Sequence, residues 1–182
     1  MKRILITGMY RSGSTWQFNA VRLLLEELTL ESINACFISD YKPDPLTSVE
    51  LIKLHNFDQE LAGSADLILT SWRNIVDARK SMERVGMNIG EDKFIHNLKQ
   101  WREWKEVSNF CSYSIADSSH QRKHDFERIA KIINRDIVPI TYDGAELRRI
   151  FDIVEAIKAP ESGNWDNYDK VTLLHPNHIS GV

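Results

Sequence analysis

Residues 2–28 constrain the fold more than any other part of the chain. Lys2-Arg3-Ile4-Leu5-Ile6-Thr7 is a short apolar run rich in β-branched residues that stops at Gly8, the pattern of a buried strand. Phe18, Val21, Leu24, Leu25 and Leu28 recur at steps of three and four, one face of a helix. Between them lies Gly8-Met9-Tyr10-Arg11-Ser12-Gly13-Ser14-Thr15, a loop bounded by glycines. A strand, a glycine loop and a helix in that order aim successive backbone N–H groups, and the positive end of a helix dipole, at one anion. The loop has the spacing G-x-x-x-x-G-K-[ST] of a phosphate cradle, with Ser14 where the lysine is expected.

The rest of the chain alternates strands with helices. Asn34–Asp40 reads as a second strand, followed by a loop through Pro43 and Pro45. Val49–His55 fits a strand or a short helix, and Ala65–Trp72 is a buried strand followed by a helix over Asn74–Glu83. From Glu91 onward Phe94, Leu98, Trp101 and Trp104 line one helical face, which assigns both tryptophans to the core. Phe110–Ile115 and Asp136–Thr141 are further strand candidates; Phe126, Ile129, Ala130 and Ile133 mark a helix, and Gly144–Lys158 another. From about residue 160 the tail lacks periodicity. This order predicts a P-loop-type α/β fold over residues 1–182, one domain with a central, mostly parallel sheet flanked by helices in three layers.

Composition narrows the function classes. The 182 residues are 42% hydrophobic, enough for a sizeable core, and the net charge of −3 argues against a nucleic-acid binder. Cys36 and Cys111 are too few for a disulfide framework. With no signal-peptide pattern and no apolar run near 18 residues, a cytoplasmic protein without a membrane span is expected. Oligomeric state is left open.

A Walker lysine neutralises charge between the β- and γ-phosphates of a nucleoside triphosphate, and Ser14 cannot do so. The nearest cation is Arg11, inside the loop. Loop amides with one guanidinium suit a smaller, less charged group than a triphosphate, and Thr15 can still donate to a phosphate oxygen with no metal required. Lys53 and His55 lie two apart, so on a strand they share a face, and a histidine of ordinary pKa near 6.5 is suited to accept a proton at neutral pH. Arg73 follows an apolar strand at its carboxyl end, where it could meet a phosphate or pair with Asp77. Trp16 fits either an adenine-stacking role or the core. His120/His124 and His175/His178 have metal-ligand spacings, but neither pair has an obvious third ligand, and no metal site is expected.

Three segments together resemble the sulfotransferases. Tyr10-Arg11-Ser12-Gly13-Ser14-Thr15-Trp16 is similar to that family's 5′-phosphosulfate loop, written Pro-Lys-Ser-Gly-Thr-Thr-Trp, with Arg11 replacing the lysine. Lys53-Leu54-His55 resembles the Lys-Thr-His motif, and Trp72-Arg73-Asn74 with Ser81, eight residues after the arginine, resembles the 3′-phosphate motif. The order and rough intervals match over about the first half of the chain. The C-terminal Arg-Lys-Gly segment of the family has no counterpart, and Gly163–Asn167 only partly resembles its Gly-Asp-Trp continuation.

The resemblance implies sulfuryl transfer from 3′-phosphoadenosine 5′-phosphosulfate (PAPS) to a hydroxyl or amine of a small-molecule or glycan acceptor, leaving adenosine 3′,5′-bisphosphate (PAP). It implies His55 as general base, with Lys53 and Arg11 stabilising charge. It also implies a cofactor site of Arg11, Ser12, Gly13, Ser14, Thr15, Trp16, Arg73 and Ser81. Two rivals remain at this level: a P-loop kinase with Asp40 as its Mg²⁺ aspartate, and a non-catalytic nucleotide-binding module.

Overall fold

The computed structural model describes residues 1–87, 89–113, 115, 117–159 and 168–175. Five strands, β1 (Lys2–Gly8), β2 (Ile33–Phe37), β3 (Val49–Lys53), β4 (Leu67–Trp72) and β5 (Phe110–Tyr113), form one sheet in the order β2-β3-β1-β4-β5. Every pairing is parallel. Parallel strands need crossover connections, and helices supply most of them: α1 (Ser14–Leu28), α2 (Gln59–Ser64), α3 (Ile75–Arg84), α4 (Glu91–Val107), α5 (Ser119–Asp136) and α6 (Gly144–Ala156).

The period of two along each strand sorts the core into layers. Ile4 and Ile6 of β1, Leu51 of β3, and Leu67 and Leu69 of β4 pack on one face with Phe18, Leu24 and Val21 of α1, Phe126 and Ile129 of α5, and Ile150 and Val154 of α6. Leu5, Ile52 and Ile68 point the other way, against Trp104 of α4. Both faces of β1 are therefore covered at its centre, which is why Ile4-Leu5-Ile6 is a continuous apolar run instead of an alternating one. Each such fully buried side chain contributes about 1.5–3 kcal/mol. Trp101 and Trp104 are buried in satellite clusters on this second side, as the helical pattern predicts.

Two strand expectations are corrected. The segment Asn34–Asp40 is a strand only to Phe37, and Ile38–Asp40 turns as a 3-10 helix at the sheet edge. Asp136–Thr141 is no strand. Its backbone is tied to the end of α5, with Val138 N donating to Ile133 O at 3.1 Å and Ile140 N to Asn134 Oδ1 at 2.8 Å. Ile137 and Ile140 still reach the core, so the apolar pattern reflects a packed α5–α6 connection. Val49–His55 resolves into β3 with a short extension, and α2, too brief to show periodicity, is capped by Asp58. Most of the tail, residues 160–167 and 176–182, lies outside the described residues.

Candidate active site

With β1 between β3 and β4, the order in which strands are added reverses at β1, and a crevice opens beyond the strands' carboxyl ends. There the loop after β1, the ends of β3 and β4, the start of α1 and the C-terminal half of α3 surround a cavity of about 860 Å³.

The loop is held by contacts that require its small residues. A Cβ on Gly8 would stand 2.4 Å from Ser71 Oγ, 2.7 Å from Ser12 Oγ and 3.0 Å from the Ser71 carbonyl. Ser12 Oγ donates to Met9 O at 2.7 Å and shares a 2.7 Å hydroxyl contact with Ser71 Oγ, which also reaches Thr7 O at 3.4 Å. Asn97 of α4 props the loop by accepting from Tyr10 N at 2.8 Å. Arg11 (φ 61°) and Gly13 (φ 92°) are left-handed, and this geometry turns the chain into α1. The first turn of α1 has no side-chain cap and no acidic residue, so its positive end faces the cavity beside Ser14 and Thr15.

Lys53 closes β3, and Leu54 N donates to Ile6 O at 3.0 Å, which carries the strand direction on to His55. Both side chains enter the cavity. Trp104 Nε1 anchors the His55 carbonyl at 3.2 Å. The His55 ring is set by a 2.8 Å contact between Nδ1 and Gly8 O. A carbonyl can only accept, so in the neutral ring the proton sits on Nδ1 and Nε2 keeps its lone pair. Tyr10 packs edge-on against the ring at 5.0 Å, and the Lys53 ammonium lies 5.4 Å from the Phe37 ring centre. Desolvation, and then the Lys53 charge, push His55 down to about 3, while burial lowers Lys53 to about 8. His55 is thus neutral across the physiological range, and its titration lies well below the ordinary value expected from sequence.

At the other end Asn74 caps α3 by accepting from Val76 N at 2.9 Å, which fixes the helix immediately after Arg73. Ser81, buried on α3, accepts from Arg11 Nε at 3.0 Å. Arg73 Nη1 donates to Arg11 O at 3.4 Å, and its Nη2 pairs with Asp117 in place of the Asp77 considered from sequence. Arg73 Nε is buried with no partner among the described residues. Trp16 lines the cavity, packs against Phe151 at 6.4 Å, and donates Nε1–H to Glu155 at 2.7 Å.

Of the residues predicted from sequence, Arg11, Gly13, Ser14, Thr15, Trp16, Lys53, His55, Arg73 and Ser81 line this one cavity. Ser12 does not; its hydroxyl is spent bracing the loop. Other lining residues escaped the sequence reading. Asp117 and Arg84 belong to no motif, and His175 drew notice only as half of a metal-like pair with His178, which lies outside the described residues. His175 is buried at the cavity wall and pushed down to about 4, by desolvation first and then by Arg11 and Lys53. Among the described residues no group of three or more His, Cys, Asp or Glu could hold a metal.

Asp40, the Mg²⁺ ligand a kinase would need, follows β2 at the sheet edge, with β3 between it and β1. Its carboxylate accepts from Tyr168 and pairs with Lys170 at 2.8 Å. No helix among the described residues is long and apolar enough to cross a membrane.

No family model matches the sequence, and no curated protein does. A similar solved structure is mouse sulfotransferase SULT7A1 complexed with PAP. It is 16% identical, superposes with a TM-score of 0.60, and is matched over 99% of this chain and 75% of its own. At that identity the likeness concerns the fold: the chain has a sulfotransferase-like α/β architecture, with an all-parallel five-stranded sheet flanked by helices.

Proposed function

We propose that this protein is a PAPS-dependent sulfotransferase acting on a hydroxyl or amine of a small-molecule or glycan acceptor. The observation that carries the proposal is convergence. A histidine with a free Nε2 lone pair, a buried lysine, an uncapped helix N-terminus and the Arg11–Ser81–Arg73 set all open on one cavity. Its volume of about 860 Å³ suits a nucleotide and a small acceptor. The buried, unpartnered Nε of Arg73 is a donor that an anionic ligand would satisfy.

PAPS, when bound, supplies the sulfuryl group and leaves as PAP. Gly13, Ser14 and Thr15 with the amides of the loop would hold the 5′-phosphate end, and Trp16 offers an aromatic wall for the adenine. Ser12 would contribute by shaping the loop. Arg73 and Ser81 would hold the 3′-phosphate, and Arg11 would neutralise charge between the two ends. Lys53 would stabilise charge developing on oxygen during transfer, an electrostatic contribution strengthened by its burial. His55 Nε2 would take the acceptor's proton. Desolvation is the first cause of the depressed His55 and the Lys53 charge the second; an anionic ligand beside Lys53 would offset the second. Free Cys36 and Cys111 fit a reducing, cytoplasmic setting.

The test is sulfuryl transfer from PAPS to a panel of phenols, sugars, alcohols and amines. His55→Ala should keep PAP affinity and slow transfer by about 10²–10⁴-fold. Retained transfer would reject His55 as the base. PAP binding with no transfer by the parent protein across the panel would favour the binding module.

A further inference from the structure

The anion end of the cleft holds more positive charge than the sequence motifs account for. Arg84 stands three residues after Ser81 on α3, so the two side chains share a helix face, and both line the cavity. Arg11 reaches the same place by donating to Ser81 Oγ, and Arg73 is joined to it through the Arg11 carbonyl. Three guanidinium groups are therefore gathered at one rim. Desolvation comes first in holding Arg11 down to about 10, and the charges of Arg73 and Arg84 add to it. A carboxylate, Asp117, faces the group, and it is engaged by Arg73.

Arg122 makes a two-point pair with Glu155 at 2.7 Å on each side, and Arg79 pairs with Glu91 off the cavity. Clustered like charges raise the local potential and cost stability unless an anion joins them. The helix start with Ser14 and Thr15 serves one phosphate, and Lys53 with His55 serves the reacting end. The rim around Ser81 is carried by a different element, α3, touches the loop through Arg11, and offers guanidinium groups to a second phosphate.

We propose that Arg84 is a further phosphate-binding residue of this cleft, closing with Arg73 and Ser81 on the 3′-phosphate of the cofactor. The inference rests on the PAPS reading of the site. It gives the 3′-phosphate a second guanidinium from α3, in a chain whose C-terminal sequence offers no Arg-Lys-Gly segment.

The experiment is calorimetric titration of the full chain and of Arg84→Gln, Arg84→Lys and Arg79→Gln with PAP and, separately, with AMP. Arg84 is exposed at the rim, so its variants should fold, and an unchanged melting temperature verifies this. Arg84→Gln should weaken PAP by about tenfold, as expected for a lost charge-assisted contact, and leave AMP unchanged. Arg84→Lys should fall between, because it keeps the charge without the planar fork. Arg79→Gln, which changes the net charge equally, should affect neither ligand. Equal weakening of PAP and AMP by Arg84→Gln, no weakening at all, or an equal effect of Arg79→Gln would overturn the assignment. A parent protein that binds PAP no better than AMP would instead overturn the 3′-phosphate reading itself, and this inference with it.

Discussion

The pairing of Arg73 with Asp117 makes a quantitative prediction about ligand affinity. The Asp117 carboxylate engages Nη2 of the arginine proposed to hold the 3′-phosphate. A phosphate arriving at Arg73 must displace that carboxylate, so part of its interaction energy goes to breaking an existing pair. Side-chain exposures of 12% for Arg73 and 32% for Asp117 place the pair between a surface salt bridge, at about 0.2–1 kcal/mol, and a shielded charge-assisted bond, at about 1.5–3 kcal/mol. An intermediate value of about 1.4 kcal/mol corresponds to a factor of ten in affinity. Asp117→Asn should therefore tighten PAP binding about tenfold, with little change for AMP, which has no phosphate for Arg73. The assay is calorimetric titration of both nucleotides into parent and variant at fixed ionic strength. Unchanged or weaker PAP binding in Asp117→Asn would refute the competition; weaker binding would mean that Asp117 orients Arg73 for its ligand.

Gly8→Ala should destabilise the protein, because its Cβ meets Ser71 Oγ at 2.4 Å and the Ser71 carbonyl at 3.0 Å. A cost of about 1–3 kcal/mol, read as a drop of several degrees in melting temperature, is expected, and an unchanged melting temperature contradicts the packing described. A second prediction concerns acid. His55 and His175, at about 3 and about 4, titrate lower in the folded chain than in the unfolded one, where histidine lies near 6.5. Their stabilising contribution is complete above about pH 6.5 and is lost as pH falls towards the folded values, because the unfolded chain then binds more protons. Each histidine adds a slope of at most about 1.4 kcal/mol per pH unit in that window. Denaturant titrations at pH 4.5–6 should show a shallower slope in His175→Asn than in the parent, and equal slopes would show that His175 is not buried neutral.

How far the sequence could be read follows from how local each signal is. The unit β1–loop–α1 is legible because its apolar run, its glycines and its helical period adjoin one another, and each reports on its own neighbours. Lys53 and His55 are legible as a pair because the strand period of two puts them on one side. Ser81 is legible only through its interval from Arg73; that it would be buried and bound to Arg11 depends on how α3 packs against the loop. Asp117 and His175 arrive from distant segments, and nothing in their local sequence marks the contact. The depressed pKa of His55 is likewise a property of its surroundings, since the ring's desolvation and the Lys53 charge appear only when the chain is folded. The apolar run at Asp136–Thr141 misled because burial of Ile137 and Ile140 looks the same in a strand and in a packed connection.

The central claim is that this cleft holds a nucleotide with a 3′-phosphate and needs neither a Walker lysine nor a metal to do so. The most direct measurement compares the thermal stabilisation produced by PAP, ADP and ATP, each with Mg²⁺ and with a chelator present. PAP should raise the melting temperature equally in both conditions, by an amount equivalent to about 2.7 kcal/mol at a hundred times its Kd, and should exceed ADP and ATP at the same concentration. Stabilisation by ADP or ATP equal to that by PAP, or an effect that appears only with Mg²⁺, would contradict the claim and return the cleft to the nucleoside-triphosphate enzymes.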